Sequence, residues 1–142
     1  MKRILTGMLF CATVAAFLPA CNNTVKVNQQ PVADTAHYTT VQWLDSVVNF
    51  GSIKMGEQIE IRFRVRNSGH QPLYLTDVKA VCGCTVADYT KQAIAPGDTG
   101  IVVGSFDSKK AHVGTVRKSI LATTNSRNGY NHDLIFTGDI QE

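Results

Sequence analysis

The strongest constraint on the fold lies in one short segment. Ile59, Ile61, Phe63 and Val65 alternate with Glu60, Arg62, Arg64 and Arg66. Side chains on an extended strand point alternately to opposite faces, so this pattern predicts a strand half-buried on its apolar side and charged on the other. Asn67-Ser68-Gly69-His70-Gln71-Pro72 then reads as a turn, after which Leu73 to Val81 resumes an extended pattern with Leu73, Leu75 and Val78 inward. Ala95-Pro96-Gly97-Asp98 is a second turn, with proline before glycine suited to type II geometry. Gly100 to Asp107, Val113 to Thr124 and Leu134 to Ile140 supply further strands, the last two joined by Asn125-Ser126-Arg127-Asn128-Gly129. Upstream, Val41 to Leu44 and Val47 to Ile53 supply the first.

Six or seven short strands at roughly 10–15-residue spacing, with no convincing helix, predict an all-β, immunoglobulin-like antiparallel β-sandwich of about seven strands. Residues 39–142 would form it. Trp43 near its start suits the core or an inter-sheet edge. No Cys…Trp…Cys spacing of an antibody domain is present, because two of the cysteines stand together.

The remainder of the chain reads as address and tether. Lys2 and Arg3 precede an apolar run from Ile4 to Leu18, which ends Leu18-Pro19-Ala20-Cys21. A basic start, a short apolar stretch and a small residue before a cleavage point make a secretory signal peptide, and the run is shorter than the ~20 residues of a spanning helix. The ending resembles the bacterial lipoprotein box. That resemblance implies a signal peptide over 1–20, cleavage before Cys21, and a lipidated Cys21 holding the protein on a membrane. Residues 21–38 then form a flexible spacer. Asn22-Asn23 lacks an acidic export cluster, which favours a periplasm-facing location in the cell envelope. Asp34-Thr35-Ala36 and Asp45-Ser46-Val47 resemble the Asp-Ser/Thr-apolar motif for O-glycosylation in one bacterial phylum, with Thr35 and Ser46 as acceptors.

Several blocks stand in a specific order: Phe50-Gly51, Asn67-Ser68-Gly69, Cys82-Gly83-Cys84-Thr85, Pro96-Gly97 and Gly114. Together they resemble the bacterial family catalogued as domain of unknown function 1573, over about residues 45–140. That family is similar in turn to the immunoglobulin-like domains of the major-sperm-protein and cilia-associated kind. The resemblance implies an immunoglobulin-like fold, often on a lipoprotein or secreted protein, and no established activity.

Chemistry concentrates at Cys82 and Cys84. On a straight strand their Cα atoms would stand ~6.5–7 Å apart, at or beyond the usual limit for a disulfide. Gly83 can relax the backbone so that a bent segment closes the bond. The pair can therefore chelate Cu(I), exchange disulfides with a partner, form a structural bond, or simply pack a tight bend. A structural zinc site normally takes four ligands, which this pair does not supply, and no other cofactor is expected. Arg62, Arg64 and Arg66 form a positive stripe, either a solvated face paired with Glu or Asp or a contact surface for an acidic partner. Lys109-Lys110-Ala111-His112 reads as a solvated loop or a polyanion contact. His37, His70, His112 and His132 are scattered, although His70 could approach the cysteines in space.

Fourteen basic against eleven acidic residues give a net charge of only +3, and no Lys/Arg block is longer than two, which argues against a nucleic-acid partner. Nucleophile-elbow, phosphate-loop and zinc-protease motifs are absent from the sequence. The chain therefore reads as a lipid-anchored envelope protein, a non-catalytic module binding another envelope protein, with strand addition at a sheet edge as one route. The alternative is a thiol-dependent role for Cys82 and Cys84, in Cu(I) binding or disulfide exchange.

Overall fold

The computed structural model describes residues 37–142. The signal segment, Cys21 and Thr35 lie outside the described residues. Eight strands follow one another: β1 (Val41–Trp43), β2 (Val47–Lys54), β3 (Gln58–Asn67), β4 (Leu75–Ala80), β5 (Thr85–Tyr89), β6 (Thr99–Asp107), β7 (Gly114–Thr124) and β8 (Asn131–Gln141). They form two four-stranded sheets, β1-β3-β6-β5 and β2-β8-β7-β4. The architecture is the expected immunoglobulin-like sandwich, with two differences.

The first difference is β5, a strand that residue patterning does not announce. Its Thr85 is buried and its Val86 is 70% exposed, so apolar and polar phases are inverted. The second is that β2 runs parallel to β8, whereas every other pair is antiparallel. β2 and β3 belong to different sheets, so the turn between them crosses from one layer to the other. The direction of β2 is then fixed by that crossing and not by a hairpin with its neighbour.

The alternation in β3 works as expected: Ile61, Phe63 and Val65 are buried and the arginines between them exposed. From the opposite sheet Phe136 meets Phe106 edge-on, ring centroids 5.5 Å apart, with Phe50 at 5.9 Å from Phe106. Burying each such ring fully stabilises by about 1.5–3 kcal/mol. Leu75 and Val78 both face inward although three residues apart, because the β4–β7 register shifts between Leu75 and Asp77. At the proline turn Asp98 donates its N–H to the Ala95 carbonyl at 3.0 Å, and Gly97 takes φ +87°, as type II geometry requires.

Asn67 ends β3 on the same inward phase and is fully buried. Its Nδ2 donates to the carbonyls of Gln71 (2.8 Å) and Ile94 (2.9 Å), while its Oδ1 accepts from Thr39 Oγ1 (2.7 Å) and the Gly69 N–H (3.1 Å). Both donors and both lone pairs of the amide are used. Gly69 packs so closely on the first strand region that a Cβ there would fall 2.5 Å from the Thr40 backbone nitrogen. Trp43 is half-buried and leans on His132, centroids 5.6 Å apart; its Nε1 has no hydrogen-bond partner among the described residues.

Candidate functional site

Residues 81–84 carry the chain from the end of β4 in one sheet to the start of β5 in the other. The crossing is tied at both ends, by Val81 N–H to the Ser119 carbonyl (3.2 Å) and by Asp107 N–H to the Cys84 carbonyl (3.0 Å). Between these ties the backbone bends, and Thr85 N–H reaches the Cys82 carbonyl at 3.4 Å. The bend brings the Cα atoms of Cys82 and Cys84 to 5.3 Å, and the two sulfurs are bonded. The straight-strand separation does not apply. Nor does the bend depend on glycine: Gly83 avoids the left-handed region, and a Cβ there would meet nothing within 4 Å.

The two half-cystines differ in surroundings. Cys84 is 6% exposed and belongs to the core, while Cys82 is only half-buried. The Thr85 hydroxyl lies 3.6 Å from Cys82 Sγ and 3.8 Å from Cys84 Sγ, a weak contact to each. Copper(I) is held by thiolates, and bonded sulfurs are not thiolates. Among the described residues no group of three or more His, Cys, Asp and Glu is placed to hold a metal ion. His70 precedes β4 and the cysteines follow it, so roughly 20 Å of strand separates them.

Three hollows that share lining residues lead from the end of β4 to the disulfide. One hollow of about 330 Å³ is lined by Val81, Arg117, Lys118 and Asp133. A second, about 290 Å³, shares Arg117 and Lys118 with the first and adds Val113 and Lys110. The third, about 160 Å³, shares Lys110 and is lined by Gly83, Cys84 and Val86. Val81, Val86 and Val113 are 72%, 70% and 51% exposed. Lys110, Arg117 and Lys118 form no ion pair among the described residues. Asp107, which could approach Lys110, instead caps the short 3-10 turn Ser108–Lys110 by accepting the Lys109 N–H at 3.0 Å. The result is a mixed surface of exposed valines and cations, with Asp107 and Asp133 among them, that reaches the disulfide at Lys110 and Cys84. Its residues come from four separated stretches of sequence, and only the outward phase of their valines could have marked them in advance.

The arginine stripe on β3 is different. Arg64 makes a bidentate pair with Asp45 (2.6 and 3.2 Å), Arg62 pairs with Glu60 (2.9 Å), and Arg66 donates to the Gly97 carbonyl (3.2 Å). Arg64 and Asp45 shift each other as charged partners do: their hydrogen bond lowers the carboxyl pKa and raises that of the guanidinium. Ser46 is exposed, and its carbonyl accepts the Ile135 N–H at 2.9 Å.

Two four-stranded sheets packed face to face define an immunoglobulin-like sandwich, here crossed at one edge by a disulfide-bonded Cys-Gly-Cys. Human CEP192 supplies a solved example, its ASH/PapD-like domain 7, which is 14% identical with a TM-score of 0.56 over 92% of this chain and 98% of that one. The chain belongs to the family described as protein of unknown function (DUF1573), whose model matches residues 41–140. A Porphyromonas gingivalis W83 protein of unknown function is 18% identical with a TM-score of 0.66, over 78% of this chain and 51% of that one. The VesB protease of Vibrio cholerae is 17% identical with a TM-score of 0.58, over 70% of this chain and 32% of the protease. At these identities the likeness is one of fold, and the chain spans about half of the Porphyromonas gingivalis protein and a third of VesB. No curated protein matches the chain.

Proposed function

We propose that the protein is a lipid-anchored component of a bacterial envelope whose sandwich binds another envelope protein through its disulfide end. The observation that carries this reading is a run of three hollows linked by shared cations: Val81 with Arg117 and Lys118, Val113 with these and Lys110, and Val86 with Lys110. Exposed apolar side chains favour burial against a partner, and three cations against the two carboxylates of Asp107 and Asp133 leave a positive excess that favours an acidic one. The arginine stripe is the weaker choice, because its charges already have partners within the domain. The anchor rests on the Leu18-Pro19-Ala20-Cys21 ending, with residues 22–38 as spacer and the periplasm as the space it faces.

The test uses the full chain in its native envelope, with a photoreactive residue at Val86. One discrete protein adduct is expected, reduced at least tenfold when Lys110, Arg117 and Lys118 are all replaced by Glu. The same probe at Tyr74, exposed before β4 at the other end of that strand, should give none. Equal adducts from both positions, or indifference to the charge reversal, would overturn the reading. Labelling with palmitate tests the anchor separately: the label should be lost in Cys21→Ala.

A further inference from the structure

We infer that Cys82–Cys84 is an exchangeable disulfide that accepts the thiolate of a partner protein at Cys82. Four observations converge on this. Cys82 is half-exposed between exposed Val81 and Gly83, so an incoming thiolate has access to it. Cys84 sits in the core, 6% exposed, and is the sulfur that an attack on Cys82 expels. The Thr85 hydroxyl, 3.8 Å from Cys84 Sγ, donates toward the thiolate formed there, and Lys110 lines the same hollow as Cys84. A nearby hydroxyl donor and an ammonium favour the charged leaving group, offsetting the apolar burial of Cys84 and the Asp107 carboxylate that lines the same hollow, which both oppose it. Finally, the crossing is pinned by Ser119 and Asp107 on either side, so the two cysteines stay close after the bond opens and can close it again.

The exchange is a two-electron transfer. The partner's thiolate bonds to Cys82 Sγ while the Cys82–Cys84 bond breaks, its electron pair remaining on Cys84 as the thiolate. If the partner carries a second thiol, that group attacks the mixed disulfide and releases the Cys82 thiolate. The partner dithiol is then oxidised to a disulfide, this chain is reduced to a dithiol, and the two thiol protons pass through solvent to Cys82 and Cys84. The inference stands apart from the docking surface, since small thiols should exchange without it.

The experiment takes the full oxidised chain in detergent with reduced glutathione, quenches with acid, and maps the tryptic fragment 80–91, which holds both cysteines. Glutathione should appear within minutes on Cys82 and at least tenfold less on Cys84. A synthetic dithiol peptide should be oxidised at one equivalent per chain. Reaction of Cys84→Ser with an aromatic disulfide reagent should exceed that of Cys82→Ser at least tenfold. Glutathione on Cys84 in preference to Cys82 would overturn the inference. So would a fragment still cross-linked after hours while the dithiol stays reduced, an outcome read on the unmodified chain whether or not the serine variants fold.

Discussion

Replacing Asn67 should cost more than replacing any other polar residue of the domain. Its amide makes four hydrogen bonds, to Thr39, Gly69, Gln71 and Ile94, and is wholly shielded from water. Each bond contributes about 1 kcal/mol net. The Ile94 carbonyl keeps a second donor, the Leu73 N–H at 3.0 Å, and the exposed Gln71 can turn to solvent. Thr39, 2% exposed, cannot, and its hydroxyl loses its acceptor. Asn67→Ala is therefore expected to cost roughly 3–4 kcal/mol, a large share of the 5–15 kcal/mol typical of a domain. Asn67→Asp keeps the shape and the two accepted bonds but turns an oxygen toward two carbonyls. In the folded state its carboxyl pKa must rise. The folded state then holds its proton above the unfolded value of about 3.9. The deficit of this variant should be least below that pH, where one donation returns, and should grow as pH rises through the folded pKa. The Asn67→Ala deficit should stay flat over the same range. Urea titrations at pH 4 and pH 7, followed by Trp43 fluorescence, read both quantities. An Asn67→Ala cost below 1 kcal/mol, or a pH-independent Asn67→Asp deficit, would refute the assignment of Asn67 as the hub of this corner.

Two further expectations concern stability. The disulfide closes a loop of only three residues, for which chain entropy gives about 1.6 kcal/mol, against ~3 kcal/mol for a 15-residue loop. Reduction by a phosphine should lower the unfolding free energy read from urea titration by that modest amount and leave the domain folded; unfolding on reduction would contradict it. His132 is pushed below its usual pKa by burial, partly offset by a hydrogen bond with the Gly129 backbone. Its protonation thus opposes folding, so stability should fall as pH drops from about 6.5 toward the folded value and then level. His132→Gln should flatten that decline in thermal melts between pH 7.5 and 5, and an unchanged decline would place its origin elsewhere.

The strands most legible in the sequence are those whose inward and outward residues differ in kind. β3 is the clearest, since Phe63 or Arg64 on the wrong face would be costly, and the period extends to Asn67, whose buried role follows from its phase. β5 escapes because Thr85 lies inside while Val86 lies outside, the inversion that comes with changing sheets. The parallel pairing of β2 with β8 is a tertiary fact with no local signature. For Cys82 and Cys84 the sequence leaves straight and bent geometries both open, and the ties to Ser119 and Asp107, distant in sequence, fix the bent one. The cationic surface escapes for a different reason: whether Lys110 or Arg117 has a counter-charge depends on where Asp107 and Asp133 point.

The sheet edges decide how a partner can approach. Both backbone groups of Val41 in β1 are bonded by the side chain of Asn128, at 3.0 Å for the N–H and 2.7 Å for the carbonyl. That amide occupies the place an added strand would take. On β5 the Asp88 carboxylate accepts the Tyr89 N–H at 2.8 Å and pairs with Lys91, whose ammonium lies 3.2 Å from the Tyr89 ring centroid. Along β2, Asn49 accepts the Gly51 N–H and Glu57 accepts that of Lys54. β4 is short and carries the pair Asp77–Lys79 on its edge. Capped groups, charges and bulges at edges are devices that discourage strand addition. An extended peptide pairing with these edges would have to displace a side-chain hydrogen bond on β1, β2 or β5 before gaining one of its own. No such displacement is needed at Val81, Val86 and the cations around the disulfide. Recognition through side chains at that end is the route with the smaller cost, and it brings a partner's thiol within reach of Cys82.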